Sequence, residues 1–76
     1  MGNMTILRFI EEFLTIGYRV ELEFVGKGIY TEVTITKPIG DGSEYEDLLV
    51  QNIPTNHLRD SDKLYDLKAL ALASIK

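Results

Sequence analysis

The stretch YRVELEFVGKGIYTEVTITK, residues 18–37, decides the fold. On both sides of Gly26 and Gly28, apolar or β-branched residues alternate with charged or polar ones. A period of two, in segments this rich in β-branched and aromatic side chains, is typical of strands with one buried face. The sequence therefore predicts an antiparallel hairpin, with strands over 18–25 and 29–37 joined by a turn at 26–28.

Parity restricts the register of this hairpin, because a slip of one residue would move a whole apolar face into solvent. The two apolar faces coincide only when the numbers of paired residues sum to an odd value. A two-residue turn at Gly26 and Lys27 meets the condition and sets Phe24 opposite Ile29. A four-residue loop also meets the condition and remains an alternative. The solvent face would carry Arg19, Glu21, Glu23, Tyr30, Glu32, Thr34 and Thr36.

Helical periodicity flanks the hairpin on both sides. Most apolar residues over 6–16 fall on one arc, which predicts an amphipathic helix capped by Asn3 or Thr5 and ended by Gly17. A last helix is expected from a cap at Asp60 or Ser61 to about residue 75, with Lys76 at its end.

A third strand is predicted over about 45–53, after a loop at 38–43 and before a connector at 55–60. The sequence does not decide which side of this strand is buried, because Leu48 and Val50 form one alternating set and Tyr45, Leu49 and Ile53 form another. A β-bulge would reconcile the two sets.

The resulting fold class is α+β: a single two-layer sandwich in the order α-β-β-β-α. Its three-stranded antiparallel sheet has both helices on one face. We expect one domain over residues 1–76, with 1–4 flexible. The predicted core consists of Phe9, Phe13, Val20, Leu22, Val33, Leu64, Leu67 and Ala71.

Composition narrows the range of possible functions. With 45% hydrophobic and 26% charged residues, the 76-residue chain has the balance of one folded domain. Eight Lys and Arg against twelve Asp and Glu give a net charge of −4, which argues against a nucleic-acid or membrane-surface binder. The sequence contains no Cys, as expected of a cytoplasmic protein without disulfides or thiolate sites.

No motif for catalysis or metal binding is recognised. His57 is the only histidine and is expected to be exposed, without a metal-ligand partner. An EF-hand loop beginning at Asp41 fails, because Glu46 and Asn52 occupy the positions that need Gly and Glu. We therefore expect neither an enzyme nor a cofactor.

Acidic residues are instead concentrated on the hairpin face and over 41–58, which contains no Lys or Arg. A functional interpretation is that these carboxylates dock on a basic protein groove. The alternative is a surface that only keeps the chain in solution. The candidate partner-binding residues are Glu21, Glu23, Tyr30, Glu32, Asp41, Glu44, Glu46 and Asp47.

Two resemblances bear on this choice. The helix, three strands and helix resemble the layout of double-stranded-RNA-binding domains, whose last helix opens with a lysine cluster where this chain has Ser61-Asp-Lys-Leu-Tyr-Asp66. An RNA-binding role would depend on Arg59, Lys63, Lys68 and Lys76.

The opening from Met4 to Phe24, an amphipathic helix followed by the first strand of a hairpin, is similar to that of small acidic phage and prophage proteins. These include anti-CRISPR inhibitors that present acidic strands to a nuclease groove. This second resemblance implies an inhibitor that binds a protein in the host cytoplasm, as a monomer or homodimer, without direct nucleic-acid or membrane contact. A structural or assembly protein is the remaining alternative.

Overall fold

The computed structural model of the chain describes residues 3–41 and 44–75. Two helices and three strands follow in the order α-β-β-β-α, as predicted, with a short 3-10 helix before the last α-helix. The elements are α1 (Ile6–Thr15), β1 (Arg19–Val25), β2 (Tyr30–Ile39), β3 (Glu44–Pro54), the 3-10 helix (Thr55–Arg59) and α2 (Ser61–Ala73). The predicted connector at 55–60 is thus mostly this 3-10 helix.

Both α-helices begin with a side-chain cap. The hydroxyl of Thr5 accepts a hydrogen bond from the Arg8 N–H at 3.1 Å, and the carboxylate of Asp60 accepts from the N–H groups of Asp62 and Lys63. These bonds satisfy backbone donors that have no partner within the first turn of a helix. Gly17 follows α1 with φ of 87°, the left-handed conformation predicted for it.

The paired residues of the β1–β2 hairpin have the predicted odd sum, but the loop is longer than the predicted two-residue turn. Leu22 pairs with Val33 and Phe24 pairs with Thr31, so the loop comprises the four residues 26–29. The predicted two-residue turn, which set Phe24 opposite Ile29, is wrong. Three residues of the loop, Gly26, Lys27 and Gly28, have positive φ, which the two glycines adopt without strain.

The sheet order is β1-β2-β3, with both pairs antiparallel. The register between β2 and β3 shifts once, since Ile35 pairs with Leu49 while Thr36 pairs with Asp47. Leu48 is therefore the extra residue of a β-bulge, and this places both Leu48 and Leu49 against the core. The bulge resolves the facing that the sequence left open.

The strands of this second pair are longer than predicted, with β2 continuing through Pro38 to Ile39 where a loop was expected. Proline is unusual in a central strand because it cannot donate to the ladder. Pro38 pairs only with Tyr45 of β3, because β1 ends its pairing with β2 at Thr36. This part of β2 is an edge, where proline is tolerated.

One core joins both helices to one face of the sheet. Six of the eight predicted core residues are buried, and Val20 and Leu22 pack half-buried at its margin. The fully buried Thr31, Val33 and Ile35 project from β2 toward the helices. We call this the inner face of the sheet.

Met4 also belongs to the core. Its side chain is 2% exposed, and its backbone N–H donates a 2.8 Å hydrogen bond to the hydroxyl of Ser61. The sequence assigned Met4 to a flexible end because it precedes the helical pattern, whereas the structure packs it against that helix layer. Residues 1 and 2, and Lys76, lie outside the described residues.

Candidate functional site

The outer sheet face is the side of the sheet opposite the helices. Strand alternation assigns its side chains, and the bulge at Leu48 changes the assignment on β3. Its principal members are Arg19, Glu21 and Glu23 of β1; Tyr30, Glu32, Thr34 and Thr36 of β2; and Tyr45, Asp47, Val50 and Asn52 of β3.

Three of these residues, Glu21, Glu23 and Glu32, form what we call the glutamate cluster. Glu23 pairs directly with Glu32 across the two strands, and Glu21 lies two residues along β1. Side chains paired in this way have their Cβ atoms about 5 Å apart. The cluster lines a shallow depression of about 560 Å³, together with Leu22 and Thr34. It concentrates negative charge in one concave part of the face.

Arg19 lies at the other end of β1 and balances part of this charge. Its guanidinium is 3.7 Å from the Glu21 carboxylate and 4.9 Å from the centre of the Tyr45 ring. Both members of the ion pair are more than half exposed, so the pair stabilises the protein by at most about 1 kcal/mol. Arg19 is four residues, or about 13 Å, from the Glu23–Glu32 pair, which it therefore leaves uncompensated.

The remaining predicted site residues fall into two groups. Tyr30, 48% exposed, lies beside the glutamate cluster, and Asp47 lies on the same face near Arg19. By strand alternation, Glu44 and Glu46 lie on the inner side of the sheet, and Glu46 is 3.3 Å from the ammonium of Lys37. Asp41 is in the turn beyond both strands. The structure thus joins Tyr30 to the three glutamates and separates them from Asp41, Glu44 and Glu46.

Tyr45 and Val50 were not predicted as surface-site residues. They lie on opposite sides of the bulge, so no single alternating pattern along β3 includes both of them. Val50 is 47% exposed and pairs with Thr34, next to the glutamate cluster. Only the bulge reveals that the outer sheet face includes an apolar position there.

The three basic residues of the RNA-binding alternative that the structure describes, Arg59, Lys63 and Lys68, line three different cavities. Lys68 is 2.6 Å from one oxygen of Glu12, and Arg8 is 3.1 Å from the other. The Lys68 contact is the main cause that lowers the pKa of Glu12, and partial burial opposes it. Arg59 lines a cavity beside the hairpin loop, whereas Lys63 lines another between the 3-10 helix and α2. Lys76 is outside the described residues.

His57 is half-buried rather than exposed. It lines the cavity between the 3-10 helix and α2, near Lys63 and Asp66. Within residues 3–41 and 44–75, no three His, Asp or Glu side chains are grouped so that they could hold a metal ion. Neither α-helix of the described chain combines the length and apolar character needed to cross a membrane.

Comparison with protein-family models, curated protein sequences and solved structures finds no match to this chain.

Proposed function

We propose that this chain is a non-enzymatic protein-binding module whose outer sheet face docks in a basic groove of a partner protein. The observation that carries the proposal is the direct pairing of Glu23 with Glu32. Like charges in this arrangement are unfavourable by roughly a few tenths of a kcal/mol. Folding alone does not favour the pair, whereas lysine or arginine side chains of a partner would neutralise it.

The surroundings of the glutamate cluster support the same interpretation. Both helices lie on the inner face, so a partner can reach the cluster without displacing any element of the described chain. Four carboxylates of the outer sheet face, those of Glu21, Glu23, Glu32 and Asp47, accompany one guanidinium. Tyr30 and Val50 add exposed apolar area beside them, and tyrosine is frequent in the centres of protein interfaces.

More specifically, we propose that the chain is a phage-encoded inhibitor of a host enzyme that acts on nucleic acid in the cytoplasm, such as a CRISPR nuclease. A groove that holds nucleic acid presents positive charge to phosphates, and an acidic sheet can occupy it instead. The support for this finer proposal is the similar opening of anti-CRISPR inhibitors over 4–24.

The test compares two double variants that remove equal charge. Glu23→Gln with Glu32→Gln neutralises the cluster, and Glu11→Gln with Asp66→Asn neutralises two exposed carboxylates on the helices. Each protein is immobilised and incubated with bacterial lysate. We expect a partner that the parent and the helix variant retain and the cluster variant loses. Equal retention by all three would place the contact elsewhere.

A binding titration with the identified partner then measures the salt dependence. We expect affinity to fall as salt rises, because charge steers association and screening weakens it. For the finer proposal, DNA cleavage by a CRISPR nuclease is measured with added parent protein or cluster variant. Inhibition by the parent alone supports the proposal, and unimpaired cleavage with the parent excludes that nuclease as the target.

A further inference from the structure

The free edge of β1 differs from the free edge of β3. In the sheet order β1-β2-β3, one side of each outer strand has no strand partner within the described residues. β3 is interrupted by the bulge at Leu48 and ends in Pro54, two features that hinder the addition of another strand. β1 runs without bulge or proline from Arg19 to Val25 and leaves a regular row of backbone donors and acceptors.

An apolar stripe of α1 lies above this edge. α1 packs over β1, and its Glu12 contacts Lys68 of α2. At 100° per residue, Leu7 and Leu14 point in nearly the same direction, on the far side of the core residues Phe9 and Phe13 from Glu12. They therefore face away from α2, toward the β1 edge, and are 64% and 55% exposed.

The outer side of the same edge carries two carboxylates, those of Glu21 and Glu23, and the guanidinium of Arg19. Glu21 and Glu23 alternate along β1 with the half-buried Val20 and Leu22. A strand added to β1 would thus place alternate side chains beside carboxylates and the others beneath the leucine stripe. These requirements define a partner sequence.

We propose that β1 is a strand-addition site for an extended partner segment in which basic and apolar residues alternate. Basic side chains would pair with Glu21 and Glu23, and apolar side chains would cover Leu7 and Leu14. Main-chain hydrogen bonds to the β1 edge would supply affinity, and the alternating side chains would supply specificity. The inference rests on the proposed function, because the extended segment would be the part of the partner's basic groove that pairs with β1.

Charge argues against a second copy of this chain as the added strand. The antiparallel register centred on Leu22, which pairs β1 with itself over its whole length and keeps the inner faces together, sets Glu21 against Glu23 at two positions. Directly opposed like charges destabilise such a pair. A basic segment removes this repulsion and also satisfies the carboxylates.

The test uses synthetic peptides of about nine residues in which lysine alternates with valine or leucine. In a strand, alternate residues direct their N–H groups to opposite edges. Two further peptides are N-methylated, one at every lysine and the other at every apolar residue, so each has one blocked edge. Isothermal titration measures all three, and amide hydrogen exchange reports on β1.

We expect the unmethylated peptide and one methylated peptide to bind and to slow exchange along β1, while the other loses at least about tenfold in affinity. If both methylated peptides bind as well as the unmethylated one, the contact depends on charge alone. This would overturn strand addition and leave the proposed docking of the outer sheet face standing. Failure of all three peptides to bind would overturn the strand-addition proposal, while lysate retention tests the docking face separately.

Leucine variants provide an independent check. Leu7→Ser with Leu14→Ser should weaken binding of the unmethylated peptide by about tenfold, because apolar contact with the stripe is lost. Leu70→Ser with Leu72→Ser removes two similarly exposed leucines from α2 and should leave the affinity unchanged. Equal effects of the two double variants would contradict the placement of the peptide beside α1.

Discussion

The inner and outer faces of β2 differ in what surrounds their side chains. Thr31, Val33 and Ile35 are completely buried, whereas Glu32 and Thr34 between them are half-buried. Burial of apolar groups is the main favourable contribution to folding. The inner face therefore accounts for most of the stability, and the outer sheet face can present charge that contributes little to it. Substitutions on the two faces should accordingly have unequal effects.

The largest expected effect is that of Phe13→Ala. Phe13 is 2% exposed and lies 5.1 Å, between ring centres, from the buried Phe9. Removing such a ring should lower the free energy of unfolding by about 3–5 kcal/mol. Phe24, 61% exposed, is the matched aromatic on the sheet, and Phe24→Ala should cost about 1 kcal/mol. Urea denaturation measures both, and equal losses would contradict the position of the core.

A smaller effect is expected for the buried polar contact of the inner face. The hydroxyl groups of Thr31 and Thr55 lie 2.9 Å apart in a hydrogen bond. Thr31→Val should lower the free energy of unfolding by about 1 kcal/mol, because it leaves the Thr55 hydroxyl without this partner. Adding Thr55→Val should restore part of the loss. On the outer sheet face, Thr34→Val should be neutral, and a comparable loss there would break the distinction between the faces.

Acid should weaken the ion pair of Glu12 and Lys68, which joins the two helices. Lys68 lowers the pKa of Glu12 in the folded protein, so the ionised carboxylate stabilises the fold above the ordinary glutamate pKa of 4.5. This contribution is lost as the pH falls through the lowered pKa. The parent should therefore lose stability relative to Glu12→Gln below about pH 4. Melting temperatures measure this difference. Glu11→Gln is the control, and it should lose stability in acid as the parent does.

The smallest effect has the opposite sign. Glu23→Gln relieves the repulsion with Glu32 and should raise the free energy of unfolding by a few tenths of a kcal/mol. Glu11→Gln, on an exposed part of α1, is the matched control and should change stability less. A clear loss of stability on replacing Glu23 would mean that the cluster stabilises the fold, and binding would no longer be needed to explain it.

The sequence predicts which face each hairpin residue occupies, and it does not determine the pairing of individual residues. Loops of two and four residues share one parity, so the alternation over 18–37 is equally compatible with both. The choice depends on the backbone of the loop, where Lys27 adopts φ of 59° between two glycines. The register in turn sets Glu23, rather than Glu21, opposite Glu32.

Tertiary packing explains the other differences. The bulge at Leu48 reverses the alternation partway along β3, so Glu44 and Glu46 lie on the other side of the sheet from the hairpin glutamates with which the predicted contact surface grouped them. Met4 precedes the helical period, and its burial depends on α2, distant in sequence. Local patterns contain no information about such contacts. The glutamates of the hairpin were predictable as one surface because a single uninterrupted alternation includes them.

The bond between the Met4 N–H and the Ser61 hydroxyl has a consequence for the synthesis of the protein. It joins residues 57 positions apart, and its acceptor is the first residue of α2. A nascent chain can form the hairpin from local contacts, but Met4, Phe9 and Phe13 cannot be enclosed until the ribosome has released α2. During translation Met4, Phe9 and Phe13 therefore stay partly uncovered until α2 is available to pack on them.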